Sequence, residues 1–277
     1  MSFTDHFKEA RLAAALAALQ EEVRANAANA SLRITICELL CLMGQWDRAR
    51  KQLEALTSLG EENHLWVNVM GQALLGEAFR REVFAGRSTP LLLGEPAAWM
   101  AQMIYSLGEA DISKQKALRR EAFDAAPTIP AKINGVDVPW LADADSRLGP
   151  VLEAIMEAKY YWVPLERIRK IIIQPPTGMQ HLVWVPAQVT WVTGGQSMLL
   201  IPCRYPGTED SSDDHLRLAR LTTWEEMGDG EYRGIGQRMF AAGDQDFPLL
   251  DLRTVEMAEV APSSVLSPTA STQTPCG

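Results

Sequence analysis

Trp140-Leu-Ala-Asp-Ala-Asp-Ser-Arg-Leu-Gly-Pro-Val-Leu-Glu153, followed by Tyr160-Tyr-Trp-Val-Pro164, decides how this chain divides. Upstream of it the sequence reads as helices, downstream as strands. The segment also has the look of a site, with two carboxylates and an arginine set between aromatics. Its own pattern predicts a helix from Asp143 to about Ala158. Asp143 is then a natural N-cap, and both aspartates favour the unsatisfied N–H groups at a helix start. Arg147, four residues on, would pair with Asp143 across one turn. Tyr160, Tyr161 and Trp162 carry the densest aromatic cluster and are expected to plug the junction between that helix and the strands. Trp140 and Glu153 bound the stretch.

Towards the N-terminus, Phe7, Leu12, Ala15, Leu16 and Leu19 recur at helical spacing in one helix beginning near Thr4. Further helices are predicted from Leu32 to Met43, Trp46 to about Leu59, roughly Glu62 to Phe84, Ala97 to Leu107 and Ile112 to Ala126, with Gly44, Gly60 and Gly86 as stop signals. Leu12, Ala15 and Leu19 lie 34 positions before Trp46, Ala49 and Leu53, the period of tetratricopeptide helix-turn-helix repeats. Two such units are too few to bury their own faces, so they are expected to lean on the C-terminal remainder of the chain. Residues 87–96 form an irregular connector, and Thr128 to Pro139 a loop with an Asn134-Gly135 turn signal.

Towards the C-terminus, strands are predicted at Ile168–Ile173, His181–Val192, Ser197–Ile201, Leu216–Thr222 and Leu249–Met257, with a two-residue turn at Gly194-Gly195. The expected fold class is α+β: a tetratricopeptide-like helical region over 1–139, a junction helix and aromatic clamp over 140–164, and a small antiparallel β-sheet or partly open barrel over 165–258. Residues 259–277, rich in Pro, Ser and Thr, read as a disordered tail.

The formal net charge of −9 argues against a duplex nucleic-acid binder or an anionic membrane surface and suits a basic patch on a partner. Cys37, Cys41, Cys203 and Cys276 form no CxxC and read as small buried hydrophobes in a reducing compartment. With no signal-peptide pattern and no apolar run long enough to span a bilayer, a cytoplasmic protein is expected.

Candidate chemistry is sparse. Asp143 and Asp145 suit a divalent cation, but a helix start uses the same residues structurally, and Glu153 is expected more than two helical turns away. His6, His64, His181 and His215 lack metal-ligand spacing. Gly234-Ile-Gly-Gln-Arg-Met239 lacks the third glycine of a dinucleotide loop, and Ser197 lacks a nucleophile-elbow setting. Arg204, Arg217, Arg220, Arg233 and Arg238 are expected to pair with the chain's own acids. No catalytic residue, metal or cofactor is assigned.

Several segments are informative when taken in order: Leu39-Leu-Cys-Leu-Met-Gly-Gln-Trp-Asp-Arg-Ala49, Glu82-Val-Phe-Ala-Gly-Arg87, Glu121-Ala-Phe-Asp-Ala-Ala-Pro127, Trp140–Glu153, Tyr160–Pro164, Leu182-Val-Trp-Val-Pro-Ala187, Arg204-Tyr-Pro-Gly207 and Gly234–Met239. Together they resemble the ImpE/TagJ (SciE-type) family of type VI secretion accessory proteins, and the likeness spans roughly residues 5 to 257. Thr177-Gly-Met-Gln-His181 departs from the acidic, arginine-bearing run typical there, and a proline is missing near Ala28. The resemblance implies a non-enzymatic adaptor that binds the small contractile-sheath subunit through its N-terminal helix and assists the ATPase that recycles contracted sheath. Helical hairpins offer a groove for such a helix. Leu32, Ile36, Trp46, Arg50 and Leu53 are the candidate partner-binding residues, with Trp46 as anchor or core. The alternatives are a divalent-metal enzyme using Asp143, Asp145 and Arg147, and a scaffold for an unrelated partner.

Overall fold

A computed structural model describes residues 1–258; the predicted tail and Cys276 lie outside the described residues. The chain is α+β, with a helical N-terminal part followed by a sheet.

Helices α1 (Phe3–Lys8) and α2 (Leu12–Ala25) are separate where periodicity predicts one, because Ala10 takes a left-handed φ of 53°. Asp214 accepts the Leu12 N–H at 2.8 Å and fixes the start of α2. In α3 (Ala30–Leu42) Asn29 caps the first turn, and α4 (Trp46–Leu56) follows a turn at Gly44. Leu12, Ala15, Leu19, Ala49 and Leu53, the positions spaced by 34, are all buried, while Trp46 is half-buried. α5 (His64–Phe84) is the long helix, with Met70, Ala73, Gly76, Glu77, Arg80 and Val83 on its buried stripe. Gly76 permits this packing. A Cβ there would stand 2.5 Å from Ile155 Cγ2, so only glycine lets α5 lie against the sheet.

The sheet reaches back into the part expected to be helical. β1 (Leu91–Leu92) comes from the connector and pairs parallel with the strand at Tyr161 and Trp162; α6 (Ala98–Gly108) and α7 (Ile112–Ala125) follow. β2 (Ala131–Ile133) and β3 (Val136–Val138) are a hairpin in the predicted loop, with Asn134 and Gly135 at φ 48° and 89° supplying its turn. The predicted junction helix is absent. Its residues form β4 (Ala142–Asp143), a turn, β5 (Val151–Met156) and β6 (Lys159–Pro164). Strand β5 is buried on both faces except at Met156, so it shows no apolar–polar alternation to tell it from a buried helix. Glu157 and Ala158 both take left-handed φ (49° and 62°) in the β5–β6 turn, without the Gly or Asn that advertises such a hairpin.

β7 (Ile168–Ile173), β8 (Trp184–Trp191) and β9 (Gln196–Pro202) continue the sheet. The β8–β9 turn is longer than two residues, with the Trp191 N–H donating to the Gly195 carbonyl at 2.9 Å. In place of the strand predicted at Leu216–Thr222, Asp213 caps a short helix α8 (Asp214–Arg217) and Ala219 turns the chain at φ 54°. The apolar alternation of Leu216 and Leu218 there reflects burial in that helical turn. β10 (Thr222–Gly228) and β11 (Glu231–Gly236) form a separate hairpin, and β12 (Met239–Ala242), β13 (Gln245–Pro248) and β4 a small second sheet. β14 (Thr254–Met257) completes the main sheet, whose order is β1-β6-β5-β9-β8-β7-β14-β2-β3. Nine strands with one parallel pair replace the small antiparallel sheet expected. Residues on one face, including Val151, Ile155, Tyr160, Trp162 and Trp184, join the helical core. Those on the other, including Leu152, Ala154, Val163, Val185 and Ile201, build a second core with Phe240, Leu249 and Val255.

Candidate functional site

Two places gather the candidate residues: a buried charge network where α5 meets the sheet, and an open groove between α4 and α5. The network centres on Glu153, fully buried on β5. Arg80 of α5 donates from Nε to its Oε1 at 2.5 Å and from Nη2 to its Oε2 at 3.1 Å. Tyr160 Oη also donates to Oε1, and Arg238 bonds Oε2 with one Nη while its other Nη bonds Asp143 Oδ2. Arg80 reaches Glu77 Oε1 at 3.0 Å, and Glu77 Oε2 accepts from Trp184 Nε1 at 2.9 Å. Trp162 Nε1 donates to Tyr160 Oη at 2.7 Å. Helix α5, strands β5, β6 and β8, and the chain near Asp143 and Arg238 thus meet in one set of hydrogen bonds.

The aspartates are placed differently from expectation. Asp143 caps no helix and does not pair with Arg147. Its Oδ1 accepts from Tyr205 Oη at 3.0 Å and from the Asp145 N–H at 2.9 Å. Arg147 instead grips Asp145, from Nε to Oδ1 at 2.9 Å and from Nη2 to Oδ2 at 2.6 Å, and the Gly234 N–H donates to that Oδ2 at 3.0 Å. Every carboxylate oxygen a cation would need is therefore engaged by an N–H or O–H donor, and among the described residues no group of three or more His, Cys, Asp or Glu is placed to hold a metal. Glu153, expected to lie apart from the aspartates, is linked to Asp143 through Arg238, which gives one Nη to each carboxylate. Burial alone would raise the Glu153 carboxyl, but Arg238 and Arg80 outweigh it and hold it at about 2. At Asp143 burial prevails over Arg238, with help from the neighbouring Asp145, and lifts the carboxyl to about 7. Tyr160 and Trp162 are buried on the helical side, and Phe84 packs on Trp162 with ring centroids 6.0 Å apart. Tyr161 faces the other core, and Trp140 stays outside the network in a cleft with Phe123 and Pro127.

The arginines of the strand region divide. Arg217 pairs with Asp214, Arg233 with Glu225, and Arg238 with Asp143 and Glu153. Arg204 instead donates to main-chain carbonyls, to Leu42 at 2.8 Å and Arg217 at 2.6 Å, and so caps the C-terminus of α3 from the β region. Arg220 reaches the carbonyls of Lys8 and Phe7.

The groove has a volume of about 660 Å³. Its α4 wall carries Trp46, Arg50, Leu53 and Glu54; its α5 wall carries Val67, Gly71, Leu74, Leu75, Ala78 and Arg81. Three of the five candidate partner residues, Trp46, Arg50 and Leu53, thus come together in its α4 wall. Leu32 and Ile36 do not line it, and Ile36 is buried in the helical core. Behind the groove, Trp46 packs on Trp184 of β8 at 5.9 Å between ring centroids. Sequence reading missed Glu77, Arg80, Trp184 and Tyr205 in the network and Gly71 and Leu75 in the groove. The available signal was a charged pair, Glu77 and Arg80, on the otherwise apolar stripe of α5, where charges stay only if paired.

The model of the family described as ImpE protein matches residues 135–256. The type VI secretion system accessory component TagJ of Pseudomonas aeruginosa strain PAO1 is 43% identical over 249 residues, 89% of this chain and 87% of its own length. The crystal structure of protein VPA1032 from Vibrio parahaemolyticus superposes with a TM-score of 0.85 at 25% identity, covering 92% of this chain and 97% of that one. With 43% identity over 89% of its length and the ImpE match over residues 135–256, the chain belongs to the ImpE/TagJ family of type VI secretion accessory components.

Proposed function

We propose that the chain is a non-enzymatic cytoplasmic adaptor of a type VI secretion system, which binds the small contractile-sheath subunit through that subunit's N-terminal helix and assists the sheath-recycling ATPase. The α4–α5 groove carries this reading. It is open and mostly apolar in lining, with Asp47, Arg50, Glu54 and Arg81 as its charged members, and Leu75 in its α5 wall is 60% exposed, an arrangement that accepts one face of an amphipathic helix. Its α4 wall is the second of the two segments whose 34-residue spacing suggests tetratricopeptide-like hairpins. The carboxylates that an enzymatic reading would use are occupied in the buried network. Among the described residues no helix is long and apolar enough to cross a membrane.

The test is retention of the purified small sheath subunit on the immobilised protein, with and without the subunit's N-terminal helix. The intact subunit is expected to be retained and the truncated one lost. No retention of the intact subunit refutes the reading, and equal retention of both refutes the helix as its determinant.

A further inference from the structure

α5 holds two interior glycines, each of which weakens a helix relative to alanine. Gly76 is accounted for by Ile155, which fills the place of its side chain. Gly71 has no such reason. Nothing lies within 4 Å of where its Cβ would stand, and its φ is not among the positive values. Neither packing nor backbone conformation requires glycine there, yet it sits in the groove wall between Val67 and Leu75 and lines the same groove as Leu53 of α4.

We infer that Gly71 is the crossing point for the incoming helix: the partner's backbone passes directly over it, and the partner carries a small residue at the crossing with apolar side chains on either side. This rests on the adaptor reading of the groove and adds where and how the helix seats. A bare helix surface is what two backbones need to approach closely. Charge at the two ends sets direction. α4 and α5 run back on each other across residues 57–63, so Glu54 and Arg81 mark opposite ends of the groove. Arg81 is 55% exposed and held only at 3.9 Å from Glu209. The positive N-terminal end of the docked helix therefore lies toward Glu54 and its negative C-terminal end toward Arg81.

The experiment is calorimetric titration of the full-length protein and its Gly71→Ala and Gly71→Leu variants with the intact small sheath subunit, alongside thermal melts. Gly71→Ala is expected to raise Tm by about 2–4 °C while weakening binding roughly tenfold, and Gly71→Leu to weaken it by more than about a hundredfold. Stability and affinity moving in opposite directions separates a contact surface from a structural glycine. Circular dichroism confirms that Gly71→Leu is folded, and the alanine variant decides the matter if it is not. Wild-type affinity in the alanine variant overturns the crossing at Gly71 and leaves the adaptor reading standing. No binding by the wild-type protein refutes the adaptor reading and this inference together.

Discussion

Glu153 is a fully buried carboxylate held by three donor side chains, Arg80, Tyr160 and Arg238. Taking such a charge out of solvent is tolerated only when partners replace hydration, and removing one side of a buried pair leaves the other uncompensated. Glu153→Gln keeps the shape and deletes the charge, leaving Arg80 and Arg238 facing a neutral amide. The expected cost is about 3–5 kcal/mol in urea unfolding at pH 7. Because the folded carboxyl is held at about 2, below its ordinary 4.5, its contribution is complete above about 4.5 and is lost as pH falls toward 2. The variant should therefore show a flatter acid limb than the parent. Glu38, buried on α3, behaves oppositely. Burial raises its carboxyl to about 7, so the folded state favours the protonated form, and stability falls as pH rises from the ordinary value through 7. Glu38→Gln should remove that slope and gain about 1–3 kcal/mol over the parent at pH 8, and an unchanged difference between pH 5 and pH 8 would refute the assignment.

Among the elements, the β5–β6 hairpin is the one most at odds with its own local sequence. A left-handed conformation costs an ordinary residue roughly 1–2 kcal/mol, and this turn holds two in succession. Ala158→Gly should stabilise the protein by about 0.5–1 kcal/mol, read from the shift in urea midpoint. The same turn explains what was legible. Helices with a regular apolar stripe, such as α4, could be read from spacing alone. So could the Asn134-Gly135 turn and the Ile168–Ile173 strand, because their residues have strong local preferences. The stretch from Asp143 to Ala158 could not. Its central strand is buried on both faces and its turn lacks glycine, so only its pairing, with β6 next in the chain and with the distant β9, distinguishes it from a helix. The groove was half legible. Trp46, Arg50 and Leu53 follow from the α4 pattern, whereas the facing α5 wall depends on how two helices pack. Two of the three partners of Glu153 come from residues 73 positions before and 85 after it, a separation that no local pattern encodes.

At the scale of the molecule, the helical and β parts share one charged interior and should unfold together. A fragment limited to residues 135–256, the span of the family match, would retain Glu153 and Arg238 but lose Arg80, Glu77 and the core face of α5. It is expected to lack cooperative thermal unfolding and dispersed amide resonances, and a sharp transition in that fragment would contradict the dependence. The excess of acids over bases, 35 against 26, leaves the surface negative and keeps encounters with a basic partner sensitive to salt.

Arg204, closing the end of α3 from the far side of the sequence, also sets a timetable. A chain emerging from the ribosome has made α3, α4 and α5 long before residue 204 appears, and until then the carbonyls of Cys41 and Leu42 lack that guanidinium. The α3–α4 turn closes on its own bonds, from the Gly44 N–H to the Cys41 carbonyl at 3.1 Å and from the Gln45 N–H to the Leu40 carbonyl at 2.8 Å, and gains the Arg204 cap only once most of the protein has been synthesised. An α3–α4 hairpin cut short by aborted synthesis therefore lacks a bond at the end of α3 that the finished molecule has.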